Sequence, residues 1–272
     1  MQGSLGERIG EGATADVHVW APGQVVKLFK PGFSRRLARH EVHMTHTAFT
    51  AGAPAPRVFG LVTLEGRTGM VLEHLDGPTL LQLTRTGAMP RGEAGAILAD
   101  LCRAVHGTPP PPDVLPLREW MEVFLQASDG GLPKHIAGGV LALIDRLPPG
   151  DGLTGDSLCH VDPHPGNVIM TATGPRFVDW TFSMRAPAAL DLGCCHMMLS
   201  EFAPLVADDP ERPRAVNGAM QAEYARLAGT TPAALAAAIE LYMPIVCVFY
   251  LLVKAVPPAL QERVTRRVEA AL

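Results

Sequence analysis

The sequence predicts an α+β protein with two lobes: a small antiparallel β-sheet carrying one helix, followed by a mainly α-helical lobe. Three observations predict this arrangement. Short β-branched runs alternate with turn residues in the first third of the chain, long stretches rich in Ala and Leu follow, and Asp76-Gly77-Pro78 marks the change between them. We therefore expect a first lobe over residues 1–75 and a second lobe over residues 76–272.

Four runs predict the strands of the first lobe, and one segment between the second and third runs has helical periodicity. The helix is expected over Ser34–Thr50, with Ser34 as its N-cap and Gly52 close to its end. The predicted strands are Asp16–Trp20, Val25–Phe29, Val58–Leu64 and Met70–His74.

The second lobe is predicted from helical periodicity, interrupted by strand-like pieces around residues 160–179. Within it, Leu241–Val253 is the most membrane-like stretch, but Pro244 interrupts it and it falls short of the roughly twenty apolar residues that a spanning helix needs. We expect a buried helix there and no membrane partner. The predicted helices are Arg91–His106, Pro116–Ala127, Ala188–Phe202, Arg212–Leu227 and Pro232–Val256.

Composition narrows the classes of partner. The chain has 272 residues, of which 47% are hydrophobic, and its 23 basic against 27 acidic residues give a net charge of −4. A chain without a basic field is not expected to bind nucleic acid, so small solutes are the expected partners. Five cysteines form no spaced framework, and Met1–Gly10 lacks the pattern of a secretion signal, so we expect a cytoplasmic location.

The densest chemistry lies in His160–Asn167, which reads His-Val-Asp-Pro-His-Pro-Gly-Asn, and in the Asp-Trp pair that ends the following strand-like run. Asp162 is followed five residues later by Asn167 and, after twelve more, by Asp179. A phosphotransferase needs this set, because one carboxylate orients or deprotonates the attacking hydroxyl while an amide and a second carboxylate hold Mg²⁺ against nucleotide phosphates. We predict that Asp162 is the catalytic base, that Asn167 and Asp179 are metal ligands, and that His160 holds the loop.

The first lobe supplies the expected nucleotide site. Gly10, Gly12 and Val17 stand at positions suited to a phosphate-covering loop, and Lys27 lies in an otherwise apolar strand. A buried ammonium requires an anionic partner, which a phosphate pair and Glu41 would provide. Alternatives remain open at each position: a glycine-rich hairpin without ligand, a surface lysine on an edge strand, and a solvated Glu41 paired with a neighbouring Arg.

Position along the chain predicts a hinge at Glu73–Leu75, whose backbone would read the edge of the nucleotide base. Asp191, at the start of an apolar helix, is expected to carry helix N-terminal charge and to support the catalytic loop. His40, His43 and His46 are expected to be exposed helix residues.

Two other functions use the same residues. His160, Asp162 and His164 alternate in a way that can bind zinc, which would make a metal-dependent hydrolase. A kinase-like nucleotide-binding protein without catalysis is the other alternative, although it should lack the base, a metal ligand or the lysine, all of which this chain retains.

These motifs, in this order, resemble the aminoglycoside phosphotransferase and choline kinase-like family, whose members share the bilobal protein-kinase-like fold. The resemblance implies transfer of the γ-phosphoryl group of ATP or GTP, with Mg²⁺, to a hydroxyl of a small molecule. In that family the loop commonly reads His-Gly-Asp-Leu-His-Pro-Gly-Asn, so Val161 here replaces a glycine and Pro163 a leucine. Trp180 in place of Phe, and the lack of an Ala-Pro-Glu segment, favour a small-molecule kinase over a protein kinase.

The resemblance also places the acceptor pocket among helices of the second lobe, here Pro116–Ala127 and the segments beyond Ala203. A pocket for polycationic aminoglycosides, and hence a role in antibiotic resistance, would require several carboxylates. One set of acidic residues is available for this, namely Glu201, Asp208, Asp209 and Glu211. A less charged acceptor would instead meet Tyr242, Met243, Val246, Phe249 and Tyr250, which otherwise pack the core.

Overall fold

A computed structural model confirms the α+β class with an antiparallel first lobe and a helical second lobe. It describes residues 5–127, 132–147, 150, 152–252 and 256–272. The first lobe is a five-stranded antiparallel sheet in the order β1-β2-β3-β5-β4. Its strands are β1 (Arg8–Glu11), β2 (Ala15–Ala21), β3 (Gln24–Phe29), β4 (Val58–Leu64) and β5 (Arg67–Glu73).

The central position of β3 places Lys27 between Val17 of β2 and Met70 of β5. Helix α1 (Arg35–Thr50) contacts β4 and β5 and buries one face against the sheet. Ser34 occupies the predicted N-cap position, although its side chain makes no capping hydrogen bond. The β-branched runs bounded by turn residues predicted four of these five strands, and β1 (Arg8–Glu11) was not predicted.

The connection between the lobes is fastened to the second lobe. Gly77 has φ +155°, and a Cβ built there would lie 1.9 Å from the carbonyl oxygen of Met170. One residue later, the carbonyl of Pro78 accepts a hydrogen bond from the Met170 amide at 2.9 Å. Only glycine permits this approach, so Gly77 fixes how the linker meets the strand that follows the catalytic loop.

The second lobe contains helices and two small antiparallel pairs, β6–β9 and β7–β8. Its strands are β6 (Asp156–Cys159), β7 (Val168–Thr171), β8 (Gly174–Phe177) and β9 (Met184–Pro187). Its helices are α2 (Leu80–Thr86), α3 (Arg91–His106), α4 (Leu117–Ala127), α5 (Lys134–Arg146), α6 (Ala188–His196), α7 (Glu211–Leu227), α8 (Pro232–Leu252) and α9 (Pro258–Ala271). A π-helical segment, Met197–Phe202, continues α6.

Helix α8 contains the apolar stretch predicted to be buried. In the part of the chain that the structure describes, it is the one helix whose length and mean hydropathy of 2.1 would suffice to cross a membrane, a test that core helices of soluble proteins also pass. Ile245, Val246 and Val248 are fully buried in the lobe, where α8 packs against α6 and α9. Val253–Ala255, which the sequence placed in this helix, lie outside the described residues.

Three helices, α2, α5 and α9, were not predicted from the sequence. Helix α2 is only one to two turns long and depends on a capping box between Thr79 and Gln82. Helix α5 contains Gly138 and Gly139, which weaken its helical propensity. Packing in the second lobe outweighs these local signals.

Candidate active site

Lys27, Glu41 and Asp179 form one charged cluster between the lobes. The Lys27 ammonium lies 2.6 Å from Glu41 Oε1 and 3.7 Å from Asp179 Oδ2. The Glu41 side chain is 3% exposed and that of Lys27 15%, whereas that of Asp179 is 41% exposed. The alternatives of a surface lysine and a solvated Glu41 do not describe this geometry.

The pKa shifts of the cluster reflect its surplus of one negative charge. Burial alone would lower the pKa of Lys27, but Asp179 and Glu41 outweigh it and raise that pKa above its usual value. Burial, with help from the Asp179 charge, raises the pKa of Glu41 despite the opposing effect of Lys27. A further cation near Asp179 would therefore be electrostatically favourable.

The catalytic loop brings Asp162 and Asn167 into direct contact. The Asn167 side-chain nitrogen donates to the Asp162 carboxylate at 3.0 Å and to the Asp162 carbonyl at 3.1 Å. Neither bond uses the amide oxygen of Asn167, and an oxygen of this kind is a ligand that Mg²⁺ prefers.

Two hydrogen bonds join the loop to Val178, the residue before Asp179. The Val178 amide donates to the Asn167 carbonyl at 2.9 Å, and the His160 Nε2 donates to the Val178 carbonyl at 3.0 Å. Asp179 itself has φ +65°, and the Thr181 hydroxyl donates to its Oδ1 at 2.8 Å. These contacts connect Lys27 to Asp179, and they connect Val178, the neighbour of Asp179, to Asn167 and so to Asp162. The individual roles of these residues stay predictions.

The α1 helix also contacts the segment that follows Asp179. His40 donates from Nε2 to the Thr181 carbonyl at 3.0 Å, and burial lowers the pKa of its imidazole. His40 is therefore not simply an exposed helix residue, because it ties the first lobe to this loop. His43 is half-exposed and lies 3.1 Å from Asp113.

Asp191 supports the catalytic loop from below. Its carboxylate is fully buried and accepts the amides of Val161 at 2.6 Å and His160 at 3.2 Å. Its Oδ2 also contacts His106 Nε2 at 2.8 Å, and His106 Nδ1 contacts the Tyr224 hydroxyl at 2.7 Å. The sequence indicated the Asp191 support but not His106 or Tyr224, which carry no local motif and meet the loop only through the fold.

Val161, which replaces the glycine common in this family's loop, has a backbone conformation that is typical of glycine. It has φ +73°, a conformation that a β-branched residue rarely adopts, and it is 8% exposed. The strain is of the order of 1–3 kcal/mol. The hydrogen bond from its backbone amide to Asp191 helps to hold this conformation, which glycine would adopt without strain.

His164 contacts the predicted base. Its Nε2 lies 3.5 Å from Asp162 Oδ2, and its Nδ1 accepts the Gly166 amide at 3.1 Å. Burial would lower the pKa of His164, but the Asp162 carboxylate outweighs it and raises that pKa. Burial would raise the pKa of Asp162, but His164, His160 and Asn167 lower it, which favours the ionised form that a base requires.

The zinc alternative at His160, Asp162 and His164 is disfavoured by the direction of His160. Its Nδ1 accepts the Asp162 amide at 3.3 Å while its Nε2 donates to Val178, and its ring packs against Phe177 and Trp180. Neither nitrogen keeps a lone pair for a metal. This geometry suits the predicted scaffold role.

The glycine loop and the hinge lie at the two ends of the first-lobe sheet. Gly10 is in β1 opposite Val17, and the Gly12 amide closes the β1–β2 turn on the Ala15 carbonyl at 2.8 Å. At the hinge, the amide of Glu73 donates to Arg57 and its carboxylate accepts the Arg57 amide. Within the described residues the Leu75 amide has no hydrogen-bond partner, so Leu75 is the better placed of the two to meet a base edge.

The four acidic residues that could bind a polycationic acceptor are all paired with arginines. The distances are 2.7 Å for Glu201–Arg263, 3.1 Å for Asp208–Arg212, 2.6 Å for Asp209–Arg91 and 2.6 Å for Glu211–Arg214. Of the apolar set, Tyr242, Met243, Val246 and Phe249 are core residues, and Tyr250 is half-buried.

Comparison with known proteins agrees with this geometry. The model of the phosphotransferase enzyme family matches residues 6–230, which is most of the chain. The chain belongs to this family. No curated protein matches it in sequence. As a family member it is a small-molecule phosphotransferase, and its relatives of solved structure include aminoglycoside phosphotransferases and choline kinase family proteins.

Three solved structures illustrate the shared fold. An aminoglycoside-3'-phosphotransferase of type VIII is 18% identical with a TM-score of 0.58, over 89% of this chain and 94% of that one. A choline/ethanolamine kinase family protein from Mesorhizobium loti is 19% identical with a TM-score of 0.58, over 99% and 87%. An aminoglycoside phosphotransferase from Streptomyces rimosus, in complex with ADP and streptomycin, is 18% identical with a TM-score of 0.54, over 86% and 92%.

Proposed function

We propose that this phosphotransferase transfers the γ-phosphoryl group of a nucleoside triphosphate, ATP in the first instance, to a hydroxyl of a small molecule. The observation that supports it most is the continuous series of contacts from Lys27 to Asp162. Lys27 lies 3.7 Å from Asp179. The amide of Val178, which precedes Asp179, donates to the Asn167 carbonyl. The Asn167 side chain in turn donates to the Asp162 carboxylate at 3.0 Å.

Each side chain has a distinct part in this reaction. Lys27, oriented by Glu41, binds phosphate oxygens, and the β1–β2 turn covers them. Asp162 accepts the proton of the acceptor hydroxyl as its oxygen forms a bond to the γ-phosphorus, while the bond from that phosphorus to the β-phosphate oxygen breaks and the nucleoside diphosphate leaves. His164 and Asn167 keep the Asp162 carboxylate ionised and directed into the crevice.

The donor set fits Mg²⁺. Asp179 supplies a half-exposed carboxylate with a surplus of negative charge around it, and Asn167 supplies an amide oxygen. When bound there, Mg²⁺ neutralises phosphate charge.

The test is a coupled ADP-release assay with purified protein, ATP and Mg²⁺ against hydroxylated compounds that include antibiotics, sugars, amino alcohols and nucleosides. ³¹P NMR of any positive reaction should show one new phosphate ester. GTP in place of ATP decides the nucleotide preference. If folded protein binds nucleotide but releases no ADP with any member of a broad panel, the chain would be the catalytically inactive nucleotide-binding protein instead.

A further inference from the structure

A cavity of about 390 Å³ lies against His164, Pro165 and Gly166 of the catalytic loop. Its walls come from α2, the loop at His164–Gly166, the end of the π-helical segment and the start of α7. The lining is mainly apolar and includes Leu81, Met198, Leu199, Phe202, Val206 and Val216. Its volume falls in the range of small-molecule sites, about 300–1,000 Å³.

The charges at this cavity do not suit a polycation. Asp208 is the one carboxylate in the described lining, and Arg212 pairs with it at 3.1 Å. Arg85 also lines the cavity and forms no ion pair within the described residues. The cavity therefore carries more positive than negative charge, and the nearby Asp209 is itself paired with Arg91.

Two side chains connect the cavity to the predicted base. His164 lines the cavity and lies 3.5 Å from Asp162. The ring of Tyr250 lies 6.3 Å from that of Phe202, another lining residue. Burial raises the pKa of Tyr250, with contributions from Cys194 and from the Asp162 carboxylate, and its hydroxyl has no hydrogen-bond partner within the described residues. A molecule in the cavity would thus contact His164, the residue that lies 3.5 Å from the predicted base.

We propose that this cavity receives the apolar part of the phosphoryl acceptor, which is a neutral or anionic hydroxylated molecule and not a polycation. The proposal rests on the proposed phosphotransferase function and names its class of acceptor. Apolar burial would supply most of the affinity, and Arg85 would favour an anionic or polar group at the rim over a cationic one.

The experiment uses methyl, butyl and hexyl glucoside as probes, which share one neutral hydroxylated head group and differ in apolar length. Isothermal titration calorimetry is carried out on the full chain with Mg²⁺ and a non-hydrolysable ATP analogue present. Affinity should rise about fourfold for each methylene that enters the cavity. Ala207→Trp, which fills the cavity from a partly exposed loop position, should abolish this dependence, whereas Ala237→Trp on the exposed face of α8 should preserve it.

Several results would overturn the inference. Equal affinity for the three glucosides, or an unchanged series in Ala207→Trp, would remove the cavity from acceptor binding. If Ala207→Trp does not fold, Val206→Trp at the more exposed rim serves in its place. Tight binding of the polycation tobramycin by the unmodified protein would overturn the charge argument. Nucleotide binding and ADP release are measured separately, so a failure of the phosphotransferase function itself is distinguished from a wrong acceptor class.

Discussion

The two halves of the candidate site are held by different forces. The Lys27–Glu41–Asp179 cluster is made of charges from both lobes, and its Lys27–Asp179 contact is a loose 3.7 Å. The catalytic loop is instead held within one lobe by two backbone amides, those of His160 and Val161, which donate to the buried Asp191 carboxylate. The first half can respond to lobe movement and bound phosphate, whereas the second is preorganised.

Because of this difference, substitutions in the two halves should affect nucleotide binding and turnover separately. Changes in the charged cluster should affect nucleotide affinity and lobe stability together. Changes in the loop should affect turnover while nucleotide affinity is retained.

The largest effect is expected for Asp162→Asn. Loss of the base should lower kcat by about 10²–10⁴-fold, because general base catalysis contributes that much. Nucleotide affinity, measured by calorimetry, should change little, since Lys27 and Asp179 are intact. Asp145→Asn, at an exposed position, is the matched control. An unchanged rate would remove Asp162 from its role.

Lys27→Met should weaken both nucleotide binding and folding. It leaves Glu41 buried without its cation, at a cost of about 3 kcal/mol in the free energy of unfolding. Because the pKa of Glu41 is already raised, protonation stabilises the variant, so its stability relative to wild type should recover as the pH falls from about 8 to about 5. Denaturant titrations at several pH values measure this.

The double variant Lys27→Met/Glu41→Gln separates the two effects. Stability relative to wild type should recover and become less dependent on pH, because no buried unpaired carboxylate remains, while nucleotide affinity stays low. Recovery of nucleotide binding in the double variant would show that Lys27 is a structural residue only.

Asp191→Asn tests the preorganised half. The amide cannot accept all the donors that now meet the carboxylate, so we expect a loss of about 2–3 kcal/mol in unfolding free energy. Asp191 is a positioning residue, so kcat should fall in the remaining folded protein while the KM for nucleotide is unchanged. A loss of stability without any change in kcat would restrict Asp191 to a structural role.

The smallest effect concerns Val161. Val161→Gly removes a buried side chain but also relieves the strain of a positive φ, about 1–3 kcal/mol. The matched control is Val168→Gly, which removes a fully buried valine whose φ is not positive. Denaturant unfolding should show a smaller loss for Val161→Gly than for Val168→Gly, and equal losses would contradict the strain.

Much of the site could be predicted from the sequence because its residues lie in short motifs. The spacing of Asp162, Asn167 and Asp179 indicated one crevice, and Lys27 in an apolar strand indicated an anionic partner. His106 and Tyr224 could not be predicted in this way, since they reach Asp191 from α3 and α7 only when the helices pack. The pairing of Glu201 with Arg263 and of Asp209 with Arg91 could not be predicted either, because these partners are distant in sequence.

The two-lobe α+β class, most strands and helices, and the polar residues expected to take part in phosphoryl transfer could all be predicted from the sequence. This was possible because periodicity and motif spacing are local properties of the chain. The ion pairs between distant residues, the residue with strained backbone and the position of the apolar cavity beside the loop became known only from the tertiary structure. Those properties depend on distances between segments far apart in sequence, and packing of the whole second lobe sets them.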